Sequence, residues 1–307
     1  MSKREFIALG TQSQAPTKKR NHHGAFLRWD DVGILFDPGE GTQRQLAFAN
    51  LNASAITHIC ITHFHGDHCL GLAGVVQRLN LDRAAHPIHV YYPGSGQRFF
   101  EKLRFASIFA ENAVIHPHPV EREGVLLRTE GFTLTTRRLE HRVDCFGYRL
   151  QEHDGVSFDA ALLEQAGVRG PRVADLERDG TLRVNGTTVR REDVSHPRPG
   201  QAFAFVMDTR PCRNAVELAR GADLAVMEST FATAHEDEAR QYAHCTAAQA
   251  ARMAVEAGAR RLALTHFSQR YDDVTPLLEE ARAVHPDVVA LMDLDTVEVP
   301  KRRRGGR

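Results

Sequence analysis

The run His63-Phe64-His65-Gly66-Asp67-His68 places four metal-capable side chains within six residues. In an extended segment, positions two apart project to one side, so the imidazoles of His63 and His65 can face a common ion. Asp67 and His68 follow just as the chain turns into something helical. One small ion cannot easily use all four groups of so short a segment. Two ions side by side can, with 63 and 65 serving one and 67 and 68 the other. That is half of a two-metal hydrolytic centre, in which cations about 3.5–4 Å apart share a water, lower its pKa and hold the hydroxide for in-line attack. Open positions then clamp a phosphoryl or carbonyl oxygen as charge develops.

Such a centre needs more donors, and the chain supplies them at the ends of apolar strands. Residues 132–139 alternate like a half-buried strand and deliver His141. Residues 202–207 deliver Asp208, 224–227 deliver Glu228 and 262–265 deliver His266. Strand C-termini are where α/β sheets place their sites. With the first cluster, His141, Asp208 and His266 make a set of five imidazoles and two carboxylates that suits zinc, with manganese or iron as alternatives. A carboxylate between two ions is the usual bridge, and Asp208 is the choice for it.

The elements that must position these groups are legible from periodicity. Gly33-Ile34-Leu35-Phe36 reads as a strand running into Asp37-Pro38-Gly39-Glu40-Gly41, and Ile59-Cys60-Ile61-Thr62 as the strand feeding the histidine cluster. Helical spacing follows over 67–80, a strand over 88–92 and an amphipathic helix over 95–106. An alanine-rich helix over 246–257 is capped by Thr246 and ended by Gly258. The pattern predicts one α/β domain over residues 1–307. The stretch 155–199 departs from it, being rich in Gly, Pro, Arg and acids. It holds a small hairpin, 181–184 with 187–190, joined by Asn185-Gly186, a type I′ turn signal. It reads as an arm protruding from the body, and the closing KRRRGGR as a frayed basic tail.

Basic and acidic residues balance at 39 each, so net charge excludes neither a nucleic acid nor a small molecule as substrate. No segment approaches a transmembrane span, and the apolar stretch near the N-terminus is too short for a signal peptide. The five cysteines lack C-x-x-C spacing and are odd in number, which argues against a disulfide framework. A cytoplasmic protein is the expectation. Of the 17 histidines, His22, His23, His58, His86, His89, His116, His118, His153, His196, His235 and His285 stand in surface-like or irregular contexts and read as solvated or core-satisfied.

His63-x-His65-x-Asp67-His68 resembles the signature of the metallo-β-lactamase superfamily. Within it, the chain is similar over nearly its whole length to the ribonuclease Z family of tRNA 3′-processing endonucleases. The resemblance rests on Pro16-Thr17-Lys18-Lys19-Arg20-Asn21, Leu35-Phe36-Asp37-Pro38-Gly39-Glu40-Gly41-Thr42-Gln43, Leu139-Glu140-His141 and Asp208-Thr209-Arg210. It rests further on Glu228-Ser229-Thr230-Phe231, His244-Cys245-Thr246-Ala247 and Thr265-His266-Phe267-Ser268-Gln269-Arg270-Tyr271. Pro38 stands where a cysteine is common, Met207 where a glycine usually precedes the Asp-Thr pair, and Cys245 where serine is usual. None of these removes a ligand.

The resemblance implies a four-layer αββα sandwich, a homodimer and two zinc ions per subunit. His63, His65 and His141 would hold one ion, Asp67, His68 and His266 the other, and Asp208 would bridge them. Asp67 would accept a proton from the attacking water, and His244, fixed by Glu228, would protonate the leaving 3′ oxygen. The implied reaction is cleavage of precursor tRNA 3′ of the discriminator base, leaving a tRNA 3′-hydroxyl and a trailer 5′-phosphate. The insertion would be the flexible arm that grips the tRNA body, with Gly170-Pro171 as its Gly-Pro motif. Its arginines would contact phosphates and shape rather than base edges. Lys18, Lys19, Arg20 and Arg270 are the candidates for the scissile phosphate and its neighbours.

Two other readings compete. A small-molecule phosphodiesterase or arylsulfatase of the same fold explains the metal donors but not the arm. A zinc-stabilised RNA-binding protein without turnover would require a broken ligand set, and the set has no break.

Overall fold

The computed structural model describes residues 3–302, and they build two seven-stranded sheets. The first contains β1 (Arg4–Gly10), β2 (Gly24–Trp29), β3 (Val32–Phe36), β4 (His58–Cys60), β5 (Ile88–Pro93) and β6 (Ile115–Val120). The first three pair antiparallel and the last four parallel. The second contains β7 (Gly124–Arg128), β8 (Phe132–Leu139) and β9 (Cys145–Glu152). The arm then adds β10 (Gly155–Phe158), β11 (Thr181–Val184), β12 (Thr187–Arg190) and β13 (Ser195–Arg198). The second sheet resumes with β14 (Ala202–Val206), β15 (Leu224–Glu228), β16 (Leu262–Thr265) and β17 (Val288–Ala290), and β18 (Thr296–Glu298) returns to the free edge of β1.

The strand β14 shows why the sheets stack. All five of its residues are buried, because it is covered on both faces. Phe203 and Phe205 point into the layer between the sheets, and the Phe205 ring stacks on Phe36 of the other sheet at 4.4 Å. Ala204 and Val206 point outward, toward the helix Arg213–Ala219 with its buried Ala215 and Ala219. Small residues on both sides of that contact let helix and sheet approach closely, while the large rings fill the gap between sheets. Phe205→Ala would cost about 3–5 kcal/mol through lost contact and the cavity left behind. Helices Thr42–Phe48, Leu72–Leu81 and Gln97–Arg104 cover the first sheet, completing the expected αββα order.

Direction matters more to the site than layering. β14, β15 and β16 are parallel. β9 runs antiparallel to β14 and β8 antiparallel to β9, so two reversals restore the direction for β8. The C-termini of β8, β14, β15 and β16 therefore emerge at one edge, which brings together the donors His141, Asp208 and His266 and, beside them, Glu228, scattered over more than a hundred residues.

The helix expected over 67–80 is broken. It comprises Gly66–Cys69 and Leu72–Leu81, separated at Leu70-Gly71. Gly71 abuts the loop after β3: its N–H bonds Pro38 O at 2.9 Å, and a Cβ there would lie 1.9 Å from Gly39 O. Tertiary contact overrides helical spacing at that point. The strand 202–207 ends one residue early, at Val206, and the amphipathic helix begins at Gln97 after a short 3₁₀ turn. Of the closing basic segment, Arg302 is docked, its Nε 3.0 Å from Asp223 Oδ2, and residues 303–307 lie outside the described region. Among the described residues no helix is long and apolar enough to cross a membrane.

The inserted stretch forms two pairs of strands and two short helices around its own apolar cluster of Val168, Leu176, Val184, Val189 and Val194. The hairpin pairs Val184 with Thr187, and Asn185 and Gly186 both take positive φ (49° and 84°), as a type I′ turn requires. Gly170, also at positive φ, and Pro171 precede the helix Arg172–Asp179.

Candidate metal centre

Five histidines and two aspartates converge at the shared strand edge. His63, His65, His141 and Asp208 form one group of potential ligands, and Asp67, His68 and His266 a second. Asp208 belongs to both sides. Its Oδ2 lies 3.5 Å from His63 Nε2 and 3.8 Å from His141 Nε2, while its Oδ1 lies 3.4 Å from His68 Nε2 and 3.2 Å from His266 Nε2. One carboxylate oxygen therefore faces each set of imidazoles.

The outer nitrogens of these rings are already spent. His63 Nδ1 meets Thr62 Oγ1 at 3.0 Å, and that hydroxyl donates to Asp37 Oδ2. His68 Nδ1 donates to the same Asp37 oxygen at 2.9 Å. His141 Nδ1 donates to the Ala243 carbonyl at 2.9 Å, and His266 Nδ1 meets Thr230 Oγ1 at 3.0 Å. The network thus assigns the proton to Nδ1 in all four rings and leaves each Nε2 lone pair aimed inward, the usual way a second layer orients metal-binding histidines. His65 turns its Nδ1 to the same space, 2.9 Å from His63 Nε2.

That arrangement fits cations. His68 Nε2 and His266 Nε2 stand 3.0 Å apart, and two lone pairs so close repel unless positive charge sits beside them. Asp208 Oδ1 is buried with no hydrogen-bond partner, a costly state for a carboxylate that has no cation. Burial disfavours charge on His68, yet Asp208, Asp67 and Asp37 together raise its pKa well above the ordinary value. Burial likewise works against Asp208, but the surrounding imidazoles hold its carboxyl well below the usual range.

Backbone strain marks the same edge. Asp37, Asp208 and His266 have φ of 44°, 48° and 63°, and Ala243, which precedes His244, has 60°. Non-glycine residues rarely adopt this region, and they do so where surrounding contacts enforce it, often at functional sites. Asp67 is held by the Gln14 N–H, 2.7 Å from its Oδ2.

Beside the donors lies a second pair. Glu228, at the end of β15, is 1% exposed and accepts from Thr209 N, Thr230 Oγ1, Cys245 N and His244 Nδ1. Burial disfavours the charged form of His244, but the Glu228 carboxylate 2.9 Å away outweighs it and raises the pKa to about 9. His244 lines the cleft together with His65, Asp67, Tyr242 and Arg270.

The remaining sequence candidates divide. Arg270 stands at the cleft, stacked on the Phe231 ring and 3.4 Å from Glu238. Lys18 and Lys19 are exposed on their loop. Arg20 departs from expectation: it is 4% exposed, with its guanidinium bonded to Gln12 Oε1 and the Tyr271 carbonyl. It ties the 16–21 loop to the segment after His266 and has no free face for a phosphate. Gly170 and Pro171 sit on the arm and are not among the residues lining the cleft. Asp37, which the sequence offers only within the polar cluster after a strand and within a family motif, supports two of the rings. His23, expected to be solvated or satisfied, is fully buried against His68 and His266 with both ring nitrogens unpartnered.

Comparison with known proteins places this geometry. Residues 25–145 match the metallo-β-lactamase superfamily and residues 177–267 a β-lactamase superfamily domain, so the two matched segments span all seven donors. Ribonuclease Z of Salinispora arenicola is 52% identical over 304 residues, covering 99% of this chain and 98% of its own length. Ribonuclease Z of Nocardia farcinica is 51% identical, covering 99% and 100%. The crystal structure of human tRNase Z, short form, superposes with a TM-score of 0.69 at 26% identity over 96% of this chain and 99% of its own. The superfamily binds divalent metal, and the donors gathered here are of that kind. Agreement over full length at half identity, with the donor edge intact, makes this chain a member of the ribonuclease Z family within the metallo-β-lactamase superfamily.

Proposed function

We propose that the chain is a zinc-dependent endoribonuclease that cuts precursor tRNA 3′ of the discriminator base, leaving a tRNA 3′-hydroxyl and a trailer 5′-phosphate. The observation that carries this reading is Asp208, whose two oxygens each face one set of imidazoles within a chain half identical to named ribonuclease Z proteins. His63, His65 and His141 would hold one Zn²⁺, Asp67, His68 and His266 the other, with Asp208 between them; manganese or iron would suit the same donors. When bound, the ions supply activation of water and neutralisation of charge on the phosphodiester.

The chain's own groups do the rest. Asp67 lies at the cleft, and its Oδ2 is oriented by the Gln14 N–H, so it is placed to accept a proton from the attacking water. His244 is held protonated by Glu228, which occupies Nδ1 and leaves Nε2 for the leaving 3′ oxygen. Histidine is the commonest general acid, and the buried carboxylate behind it fixes both tautomer and charge. Arg270 and the exposed Lys18 stand for the phosphates flanking the cut. The segment 155–199 would be the arm that grips the tRNA body. The protein would work in the cytoplasm as a homodimer.

Purified protein incubated with labelled precursor tRNA, with and without a chelator, tests the proposal. A single cut after the discriminator base that vanishes with chelation is expected. Intact substrate with zinc fully loaded would end it.

A further inference from the structure

Two rings of the donor set reach a carboxylate through a threonine hydroxyl, once in each sheet. At the ends of β3 and β4, Thr62 Oγ1 donates to Asp37 Oδ2 at 2.8 Å and meets His63 Nδ1 at 3.0 Å. At the ends of β15 and β16, Thr230 Oγ1 donates to Glu228 Oε2 at 2.6 Å and meets His266 Nδ1 at 3.0 Å. β3 pairs with β4 and β15 with β16 in parallel, so each relay joins the ends of two neighbouring strands. Each carboxylate also holds a second ring. Asp37 takes His68 Nδ1 at 2.9 Å, and Glu228 takes His244 Nδ1 at 2.9 Å. The second ring of Asp37 is another donor of the set, whereas that of Glu228 stands outside it.

We propose that Thr230 is a positioning residue that hands the Glu228 carboxylate on to His266, so that one buried acid sets the affinity of the metal centre as well as the orientation of His244. A hydroxyl has one hydrogen to give and lone pairs to offer. The hydrogen of Thr230 is spent on Glu228, at a length typical of a bond to an ionised oxygen. Glu228 also takes the N–H groups of Thr209, Thr230 and Cys245, which suit an ionised acceptor. The Thr230 oxygen is therefore left to accept from His266 Nδ1–H, which commits Nε2 of that ring to the metal side. His244 Nδ1 lies farther from it, at 3.4 Å, and already has Glu228 Oε1. Donation into a carboxylate makes the hydroxyl a better acceptor, and that in turn raises the basicity of His266. Glu228, Thr230 and His266 are all 3% exposed or less, so solvent does not reach the relay. The role rests on the zinc reading given above and adds to it a link between metal affinity and the partner of His244.

Zinc retention against a graded chelator, measured on the full chain, tests the link without any substrate. Thr230→Val keeps the shape and removes the hydroxyl, and it should lower the affinity for one zinc per chain roughly 10–100-fold while the second ion is retained. Thr230→Ser returns the hydroxyl and should return retention to the wild-type level. Glu228→Gln should weaken the same ion, and His244→Ala should hold both. Because Thr230 and Glu228 act in series, the Thr230→Val/Glu228→Gln double variant should be no weaker than Thr230→Val alone. A fully loaded wild type with equal retention by folded Thr230→Val overturns the inference and leaves the zinc reading standing. Additive loss in the double variant does the same, as does a loss in His244→Ala equal to that in Glu228→Gln. Circular dichroism checks the fold of each variant, and should Thr230→Val not fold, wild-type retention by Glu228→Gln is the overturning result. A wild type that binds no zinc ends both readings.

Discussion

His68 Nδ1 donates to Asp37 Oδ2 at 2.9 Å, across 31 positions of chain. The same carboxylate accepts from Thr62 N and Oγ1, and Thr62 in turn orients His63. One buried aspartate after β3 therefore sets the rings of a donor on each side of Asp208. Asp37→Ala should weaken metal binding roughly 10–100-fold, the usual effect of deleting an outer partner of a ligand histidine. Metal content after dialysis against a graded chelator would show it. Retention equal to wild type would mean that packing alone orients His68.

Much of this edge could be read from residue order, because each donor stands where an apolar strand ends, and a strand end fixes position more firmly than a loop does. His266 follows its strand directly, and His141 and Asp208 stand two residues beyond the ends of theirs. Asp37 escaped because its role depends on two groups met only after folding, and nothing in Asp37-Pro38-Gly39 distinguishes a ring support from a turn. Arg20 failed in the other direction. A basic loop suggests phosphate contact, whereas its guanidinium is consumed by Gln12 and the Tyr271 carbonyl. His23 could not be placed at all, since only the packed structure puts it behind His68 and His266. The break at Gly71 belongs to the same class: spacing favoured a continuous helix, and a backbone neighbour from a distant loop prevented it.

Removal of the arm separates tRNA grip from chemistry. Its apolar cluster is distinct from those of the body, and its two ends meet, with Gly200 N bonded to Asp154 Oδ1 at 2.8 Å. Excision of 155–199 should therefore close without straining β9 or β14. Precursor tRNA cleavage is expected to fall sharply while a small phosphodiester is still hydrolysed. Equal loss of both activities in a folded protein would favour a small-molecule hydrolase over the tRNA reading.

Acid sensitivity should centre on Glu152. It lies 2.7 Å from Arg4 Nη1 and 3.2 Å from Arg198 Nη2, and accepts from Gln201 N. Burial opposes its ionisation, but the bonds from Arg4, Gln201 and Arg198 prevail and hold its pKa at about 2. A folded-state pKa below the unfolded value contributes stability that is present above about pH 4.5 and lost as pH falls toward 2. Allowing for solvent screening, that contribution is about 2 kcal/mol. Thermal unfolding of wild type and Glu152→Gln at pH 6 and pH 3 compares the two under shared metal loss. The gap between them should narrow on acidification, and a constant gap would assign Glu152 a role in packing rather than charge.

The leaving-group role of His244 makes a sharper demand than loss of activity. Its Nδ1 is committed to Glu228, and that carboxylate outweighs the opposing effect of burial and keeps the ring protonated, a proton donor at neutral pH. His244→Ala should lower precursor tRNA turnover by roughly 10²–10⁴, the range for a lost general acid, with zinc content unchanged. A ribose 3′-oxygen leaves poorly unless protonated, whereas a p-nitrophenolate leaves without help. The same variant should therefore retain most of its activity on a p-nitrophenyl phosphodiester, because the metal donors and Asp67 are untouched. If both substrates suffer equally, His244 acts through the architecture of the site, most directly through the Glu228 network that also holds Thr209 and Cys245. If tRNA cleavage survives the substitution, the proton comes from elsewhere, and the pair at the end of β15 only holds the fold.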